Sequence, residues 1–235
     1  MNQLLLFEED LVSESAALIK GRRFLHMKEI LKNAEGDSLR VGLKDGKSGI
    51  AEVVSMGEDH AEISFNLKDS PPPALDVVLV LALCRPKSMK RALYYAVSMG
   101  VKEIHIIRSY RVDKSYFLSP VISDEGISET SLLALEQCRD TVFPVVRIHK
   151  LFKPFAEDIL PLISAGKNKF LCHPYSALPF PESVSGKSVI IIGPDGGFIQ
   201  YEIDLLKGIG FDCYSMGERI LRTENAVAAV LSKFS

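Results

Sequence analysis

Tryptophan is absent from this 235-residue chain, and cysteine and histidine are scarce. The four cysteines form no C-x-x-C pair, so reduced thiols in a cytosolic interior are a simpler interpretation than disulfides or a metal site. The five histidines are scattered along the chain, and we therefore predict no bound metal. The remaining composition, with 47% apolar and 25% charged residues, is typical of a globular protein.

Long apolar runs are also missing. Three leucines lie within the first seven residues, but Glu8, Glu9 and Asp10 follow at once, which argues against a secretory signal. The longest apolar run, Val77 to Cys84, is far too short to cross a bilayer. The chain has no internal repeat or low-complexity segment. These features predict a cytoplasmic protein that does not enter a membrane.

The chain lacks a large excess of either charge, since its formal net charge is −2. This value is unfavourable for a nucleic-acid-binding protein, so the distribution of charge matters more than the total. Residues 85–114 carry eight basic side chains and two acidic ones. The basic residues are Arg85, Lys87, Lys90, Arg91, Lys102, Arg108, Arg111 and Lys114. A solvated face and a phosphate-contacting patch explain this cluster equally well.

The first seventy residues are predicted to form a compact, mostly β unit. Two helical stretches, Ser13 to Lys20 and Phe24 to Lys32, come first. Three strands are expected to follow, at residues 39–43, 49–54 and 60–67. Asp45-Gly46 between the first two strands is a strong hairpin signal. Ser70-Pro71-Pro72-Pro73 then reads as a semi-rigid linker, because consecutive prolines favour extended geometry.

From Asp76 onward, strand and helix patterns alternate, which predicts an α/β domain over residues 74–235 with about six strands. The strands are expected at residues 77–83, 104–107, 145–149, 169–173, 189–192 and 211–215. Between the first two lies an amphipathic helix, residues 87–99, that Gly100 ends. Its apolar stripe is Met89, Ala92, Leu93, Ala96 and Val97. Lys87, Lys90 and Arg91 fall off that stripe.

Two loops in the last fifty residues each follow a predicted strand. The first reads G-P-D-G-G-F from Gly193, and the second runs from Met216 to Arg222. Two strand-loop-helix units in tandem would place both loops at the carboxyl ends of neighbouring parallel strands, where ligands bind in open α/β sheets. The glycine-rich turn alone is more often a tight connection than a site. The second loop changes that balance, because L-R-T-E-N-A brings a guanidinium, a hydroxyl and a carboxylate to the start of the final helix. Thr223 is the predicted N-cap, with Ala226, Val230 and Phe234 as the apolar stripe.

The pairing of G-P-D-G-G-F-I-Q-Y-E-I with M-G-E-R-I-L-R-T-E-N-A resembles the RsmE-type ribosomal RNA methyltransferases of the SPOUT superfamily. The resemblance implies a trefoil-knotted α/β methyltransferase domain at residues 74–235 that binds S-adenosylmethionine. Within residues 1–70, the pattern R-R-F-x6-L-x4-G-D resembles the family's PUA-like β-barrel, which is implied to help bind RNA. Met99, Asp195, Ile199 and Asn225 depart from the family pattern. Ile199 in particular replaces a helix-capping Ser or Thr, a loss that costs about 1 kcal/mol.

The resemblance also implies the residues of the site. The cofactor-binding residues are expected to be Ile192, Gly193, Pro194, Gly196, Gly197, Met216, Gly217, Ile220, Leu221, Arg222 and Ala226. Arg222 is the predicted catalytic residue, because its permanently charged fork of donors suits negative charge on uracil oxygens. Glu224 is the candidate base, although pairing with Arg222 or capping the helix explains it equally well. The candidate RNA contacts are Arg22, Arg23, Lys87, Lys90, Arg91 and Arg139.

The implied reaction is methyl transfer from S-adenosylmethionine to N3 of a uridine in 16S ribosomal RNA. The implied partners are the small ribosomal subunit and a second copy of the chain, joined as a homodimer through the carboxy-terminal domain. Two alternatives stay open. One is a SPOUT enzyme that acts on another RNA, such as tRNA. The other is an RNA-binding ribosome assembly factor without catalytic turnover.

Overall fold

The computed structural model describes residues 2–234, which divide into two compact units. The first comprises the residues up to Pro73 together with Leu132–Phe143. The second comprises Ala74–Ser131 and the chain from Pro144 onward. Helix α3 (Asp124–Cys138) therefore begins in the second unit and ends in the first. In the first unit its backbone is tied to the amino-terminal strand, since the Gln3 N–H donates to the Glu136 carbonyl at 3.0 Å.

The first unit is built on a six-stranded sheet in the order β1-β4-β5-β6-β3-β2. Its strands are β1 (Leu4–Leu6), β2 (Leu11–Ser13), β3 (Ala16–Lys20), β4 (Ser38–Leu43), β5 (Ser48–Met56) and β6 (His60–Asp69). The pairs are antiparallel except β1 with β4. Helix α1 (Gly21–Leu25), continued by a wider turn over His26–Leu31, follows β3 and contributes Phe24 and Met27 to the core.

The prediction of a helix from Ser13 to Lys20 is wrong. Ala17 and Ile19 are buried while their neighbours in β3 are not, so the apolar residues alternate with a period of two. Pairing of β3 with β6 overrides the helical preference of Ala, Leu and Lys. The hairpin prediction is confirmed: β4 and β5 pair antiparallel around Asp45-Gly46, with the Gly46 N–H donating to the Leu43 carbonyl at 2.9 Å.

The second unit is an α/β structure with a six-stranded, fully parallel sheet in the order β12-β10-β11-β7-β8-β9. The strands are β7 (Val77–Ala82), β8 (Glu103–Ile107), β9 (Val145–His149), β10 (Asn168–Cys172), β11 (Ser188–Ile192) and β12 (Asp212–Tyr214). Every residue of β7 and β11 is buried. This is the reason their sequences are continuous apolar runs rather than alternating ones.

Helical segments connect these strands, and a final helix follows the last strand. They are α2 (Pro86–Ser98), α3, the contiguous stretch α4 (Phe152–Pro154), Phe155–Ile159 and α5 (Leu160–Ser164), α6 (Gln200–Gly208) and α7 (Thr223–Leu231). Helix α2 buries the five predicted residues Met89, Ala92, Leu93, Ala96 and Val97. Gly100 follows it with φ +87°, a conformation that a glycine adopts without strain.

Helix α7 begins one residue earlier in the sequence than predicted. Arg222 is the N-cap and Thr223 is already helical, so the prediction of Thr223 as the cap is wrong. The buried face is Thr223, Glu224, Val227, Val230 and Leu231. Val230 of the predicted stripe lies on this buried face. Ala226 is only partly buried, and Phe234 lies beyond the end of the helix at Leu231.

The two loops do not follow neighbouring strands, which corrects a second prediction. Strand β10 pairs with both β11 and β12 and so separates them. Residue Cys172 at the end of β10 is level with Ile192 of β11 and Tyr214 of β12. The chain that leaves β10 therefore emerges between the two predicted loops.

Candidate active site

A cavity of about 340 Å³ lies at the carboxyl ends of β10, β11 and β12. Its walls come from four stretches of chain: the start of α2, the segment after β10, the glycine-rich loop after β11, and the region from β12 into α7. A volume in this range suits a small-molecule ligand. Ten of the predicted cofactor residues line it, namely Ile192, Gly193, Pro194, Gly197, Met216, Gly217, Ile220, Leu221, Arg222 and Ala226.

The glycine-rich loop presents open backbone to the cavity. Gly197 has φ +68° and Gly217 in the second loop has φ +103°, and a Cβ atom added to either would meet no other atom within 4 Å. The Gly197 N–H donates to the Pro194 carbonyl at 2.8 Å, which closes the turn. The Thr223 hydroxyl lies 3.4 Å from the Gly193 carbonyl, so the start of α7 contacts the first loop. These glycines leave space where any other residue would place a side chain.

Gly196 is the predicted cofactor residue that does not line the cavity. Its carbonyl accepts a hydrogen bond from Arg111 Nη1 at 2.6 Å, and an added Cβ would lie 3.3 Å from Arg111 Cδ. Gly196 thus faces the loop after β8 rather than the cavity. A direct cofactor contact by Gly196 therefore stays a prediction, and its observed contact is with Arg111.

Glu202 fixes the start of α6 and the loop after β8 together. This carboxylate is 2% exposed and accepts from the N–H of Ile199 at 3.0 Å and from the N–H of Tyr110 at 2.8 Å. Ile199 is the N-cap and makes no side-chain capping bond. The N–H of the cap residue is nevertheless satisfied by Glu202 from the first turn of the helix. The departure at Ile199 is thus partly compensated within the same segment.

Glu224, the predicted base, points away from the cavity. It is 2% exposed and does not belong to the cavity wall, and its Oε1 lies 3.7 Å from Arg91 Nη1 on α2. This position does not support the prediction of Glu224 as the base, because the carboxylate is buried beside Arg91 of α2. The negative charges of Asp195 and Glu224 add to burial in raising the pKa of the Cys84 thiol to about 12.

Arg222 lies at the mouth of the cavity as the exposed N-cap of α7. Arg85 and Arg219 also line the cavity, so three exposed arginine residues contribute to its wall. Arg85 Nε lies 3.9 Å from Asp195 Oδ2, and both side chains are partly exposed. An opening of this kind attracts an anionic partner.

Sequence reasoning missed the segment after β10. Cys172, His173 and Pro174 line the cavity, and so does Tyr214 of β12. Burial, with a smaller effect from Lys207, lowers the pKa of His173, so its imidazole is neutral at neutral pH. Burial raises the pKa of the Cys172 thiol to about 12. The signal that could have identified this segment is the strand pairing of β10, which no local pattern records.

The predicted RNA contacts have different environments. Lys87, Lys90 and Arg91 lie exposed on α2, although Arg91 is engaged by Glu224. Arg139 is exposed and has φ +62°, an uncommon conformation for a residue with a side chain. Arg22 Nη2 donates to the buried Glu136 carboxylate at 2.9 Å. Burial raises the pKa of Glu136, and the charge of Arg22 opposes that effect.

Arg23 has a structural environment within the first unit. Its guanidinium donates to both carboxylate oxygens of Asp10 and to the Leu5 carbonyl, and it lies 5.0 Å from the centre of the Phe7 ring. The side chain is 15% exposed. The prediction of a phosphate contact is therefore withdrawn for Arg23, because its charge is already paired internally.

Residues 2–234 hold no group of three or more His, Cys, Asp or Glu side chains placed to bind a metal ion. None of the helices described there has both the length and the apolar character needed to span a membrane.

A parallel α/β sheet with a glycine-lined cavity at its carboxyl edge is typical of α/β proteins that bind a ligand at that edge. Residues 71–235 match the RNA methyltransferase domain family, and the chain belongs to that family. Proteins named ribosomal RNA small subunit methyltransferase E are similar to it. The one from Treponema pallidum is 26% identical over 96% of this chain and 88% of its own length. The one from Mesomycoplasma hyopneumoniae is 29% identical over 74% of this chain and 75% of its own length.

Solved structures share the fold. A methyltransferase E from Neisseria gonorrhoeae bound to S-adenosylmethionine superposes with a TM-score of 0.77, at 19% identity over 99% of this chain and 95% of that chain. A methyltransferase from Legionella pneumophila, solved with the same cofactor, superposes with a TM-score of 0.76, at 21% identity over 99% of this chain and 96% of that chain. The resemblance to RsmE-type enzymes is thus confirmed, together with S-adenosylmethionine as the cofactor of this family.

Proposed function

We propose that this protein transfers a methyl group from S-adenosylmethionine to N3 of a specific uridine in 16S ribosomal RNA. The observation that carries the proposal is the glycine-lined cavity of about 340 Å³ with Arg85, Arg219 and Arg222 at its mouth. A small-molecule donor fits the enclosed part, and an RNA phosphate or an anionic base fits the guanidinium groups. Membership of the RNA methyltransferase family supports the same pairing of donor and acceptor.

The cavity suits the cofactor in size and in the character of its walls. Gly193, Gly197 and Gly217 supply backbone without side chains, while Met216 and Leu221 supply apolar contacts. An adenine ring has apolar faces and polar edges, so aliphatic side chains and backbone amides together are sufficient to hold it. S-adenosylmethionine, when bound, supplies an electrophilic methyl group and needs no metal to activate it.

Arg222 is proposed to stabilise the negative charge that develops on the uracil oxygens as N3 loses its proton. The residue is permanently cationic, and its planar fork of donors spans two acceptors. It lies at the N-terminus of α7, where the helix dipole adds positive potential. A preorganised donor of this kind acts on the transition state more than on the ground state.

The group that takes the N3 proton must face the cavity, and Glu224 does not. Among the described residues of the cavity wall, Asp195 carries a carboxylate and His173 carries an imidazole. The lowered pKa of His173 leaves the ring neutral and able to accept a proton at neutral pH. We infer that one of these two residues is the base.

The proposal extends to the protein's partners. The sheet of the first unit is compatible with the PUA-like domain that the resemblance implies, and residues 1–70 are proposed to help bind RNA in the small ribosomal subunit. The second unit is proposed to form a cytoplasmic homodimer. Sedimentation at micromolar concentration tests the dimer, and a fully active monomer would count decisively against it.

Two measurements test the function. Calorimetry with S-adenosylmethionine asks whether the cavity binds the donor, and mass mapping of RNA from a knockout strain asks which nucleotide loses its methyl group. The proposal expects tight binding and one unmethylated uridine in 16S RNA. Loss of a methyl group from tRNA instead would show that the substrate is another RNA. If the protein binds no cofactor and the knockout strain loses no methyl group, the alternative of a non-catalytic assembly factor would be supported.

A further inference from the structure

A tight turn after β8 holds one aromatic side chain out into solvent. The turn runs from Ser109 to Val112, closed by the Val112 N–H donating to the Ser109 carbonyl at 3.2 Å. Both ends of the turn are buried, at 1% and 6% exposure, while Tyr110 at its corner is 79% exposed. The turn therefore has a fixed base and an exposed aromatic corner.

Two hydrogen bonds join this turn to the active-site loop. The Tyr110 N–H donates to the buried Glu202 carboxylate at 2.8 Å, and Arg111 Nη1 donates to the Gly196 carbonyl at 2.6 Å. Gly196 lies between Asp195 and Gly197, which both line the cavity. Each bond joins a side chain to a backbone group, and together they hold the turn against the glycine-rich loop and the start of α6.

The surroundings of Tyr110 are basic. Arg108, Arg111 and Lys114 lie within four residues of it, and Asp113 is the acidic residue of that stretch. Asp113 accepts a hydrogen bond from the Ser115 N–H at 2.9 Å as the N-cap of the short helix Lys114–Leu118. An exposed aromatic ring among cations is the arrangement that binds single-stranded nucleic acid, with phosphates on the cations and a base on the ring.

We propose that Tyr110 is a stacking platform for a base of the substrate RNA, next to the nucleotide that enters the cavity. This inference rests on the proposed function and names a positioning residue for it. The ring stacks on the face of a base that is already unpaired, and the base gains a surface fixed to the active-site loop. Stacking needs no hydrogen-bond donor, so the platform selects for an exposed base rather than for a sequence.

The absence of tryptophan from the chain gives a direct test, because a Tyr110→Trp variant carries a single tryptophan. Single-stranded oligouridylate RNA is expected to quench its fluorescence, saturating together with binding. Heparin, a polyanion without bases, is expected to bind the cations without that quenching. Leu162→Trp is the matched control, since Leu162 is 78% exposed on α5, does not line the cavity, and no Lys or Arg lies between Leu160 and Gly166. Equal quenching of both variants, quenching by heparin, or no quenching at position 110 would each overturn the platform.

A kinetic measurement gives the second readout. Tyr110→Ala is expected to raise the KM for 16S RNA roughly tenfold, as for loss of one stacked base. Tyr110→Phe keeps the ring and is expected to behave as wild type, and cofactor affinity stays unchanged in both variants. Methylation of 16S RNA with no effect of Tyr110→Ala would reject the platform and leave the proposed function standing. Quenching at position 110 in a protein that methylates no RNA would reject the function and leave the platform standing.

Discussion

The guanidinium of Arg91 on α2 lies 3.7 Å from the carboxylate of Glu224 on α7. Glu224 is buried, and its other oxygen, Oε2, is a buried atom without a hydrogen-bond partner among residues 2–234. A buried carboxylate with one loose ion pair depends strongly on that pair, because desolvation of the charge is otherwise uncompensated. The contact therefore belongs to the packing of two helices rather than to the chemistry in the cavity.

Replacing Arg91 with Ala should lower the free energy of unfolding by about 1–2 kcal/mol. This is below the usual cost of breaking a buried pair, because the Arg91 side chain is half exposed. Lys90→Ala is the matched control, since Lys90 is exposed on the same helix, and it should change stability by under about 0.5 kcal/mol. Urea unfolding measures both. Equal effects of the two variants would show that the Glu224 contact adds nothing to stability.

Arg222→Lys should lower the single-turnover methylation rate roughly a hundredfold, the lower end for losing one preorganised donor. Lysine keeps the charge but loses the planar fork that spans two oxygens. Calorimetry should find cofactor affinity almost unchanged. A loss confined to cofactor binding would remove Arg222 from the catalytic step.

Gly197→Val should weaken binding of S-adenosylmethionine at least tenfold. Gly197 has φ +68°, so a branched residue is strained there by about 1–3 kcal/mol, and its side chain would enter space that the cavity now occupies. Gly208→Ala is the control, because Gly208 lies on α6 with open space beside it. Calorimetric titration of both variants with S-adenosylmethionine measures the two affinities. Wild-type affinity in Gly197→Val would mean that the cofactor does not use this loop.

The pair of buried His105 and half-buried His149 should make stability depend on pH. His105 Nδ1 lies 2.9 Å from His149 Nε2, with Glu103, Arg147 and Lys167 as the charged groups around them. Burial lowers the pKa of both rings from the ordinary value of 6.5, so the folded state binds fewer protons than the unfolded state. The contribution of these rings to the free energy of unfolding is therefore greatest above pH 6.5, and it decreases as the pH falls below 6.5. Urea unfolding between pH 7 and pH 5 should show this decline, and His149→Asn should flatten it. An unchanged pH dependence in His149→Asn would exclude the pair as its source.

Arg139→Gly should raise stability by about 1 kcal/mol, because Arg139 adopts φ +62° and glycine does so without strain. If Arg139 contacts a phosphate, the same change should weaken RNA binding and flatten the slope of log affinity against log salt by about one unit or less. Arg139→Lys keeps the charge and serves as the control. An unchanged salt slope would return Arg139 to an ordinary surface role.

Much of the second unit was predictable from local patterns. The buried strand Val77–Ala82 and the apolar stripe of α2 follow from hydrophobic runs and from 3.6-residue periodicity. The glycines of both loops are recognisable as motifs, and ten of the eleven cofactor residues predicted from them do line the cavity.

The remaining features depend on contacts between distant residues. Insertion of β10 between β11 and β12 is a matter of strand pairing, and it brings His173 to a site that local patterns assign to two loops alone. The direction of Glu224 depends on the packing of α7 against α2, because its partner Arg91 belongs to a distant part of the chain. Gly196 faces Arg111 for a similar reason, since the partner lies 85 residues away.

The Glu202 carboxylate binds the backbone of residues 110 and 199, not their side chains. Any residue except proline offers the same N–H group. The geometry of the turn and of the cofactor loop is therefore independent of which side chain stands at position 110. Evolution can exchange the surface offered to the RNA at this corner, and so alter the choice of acceptor, while the donor site stays intact.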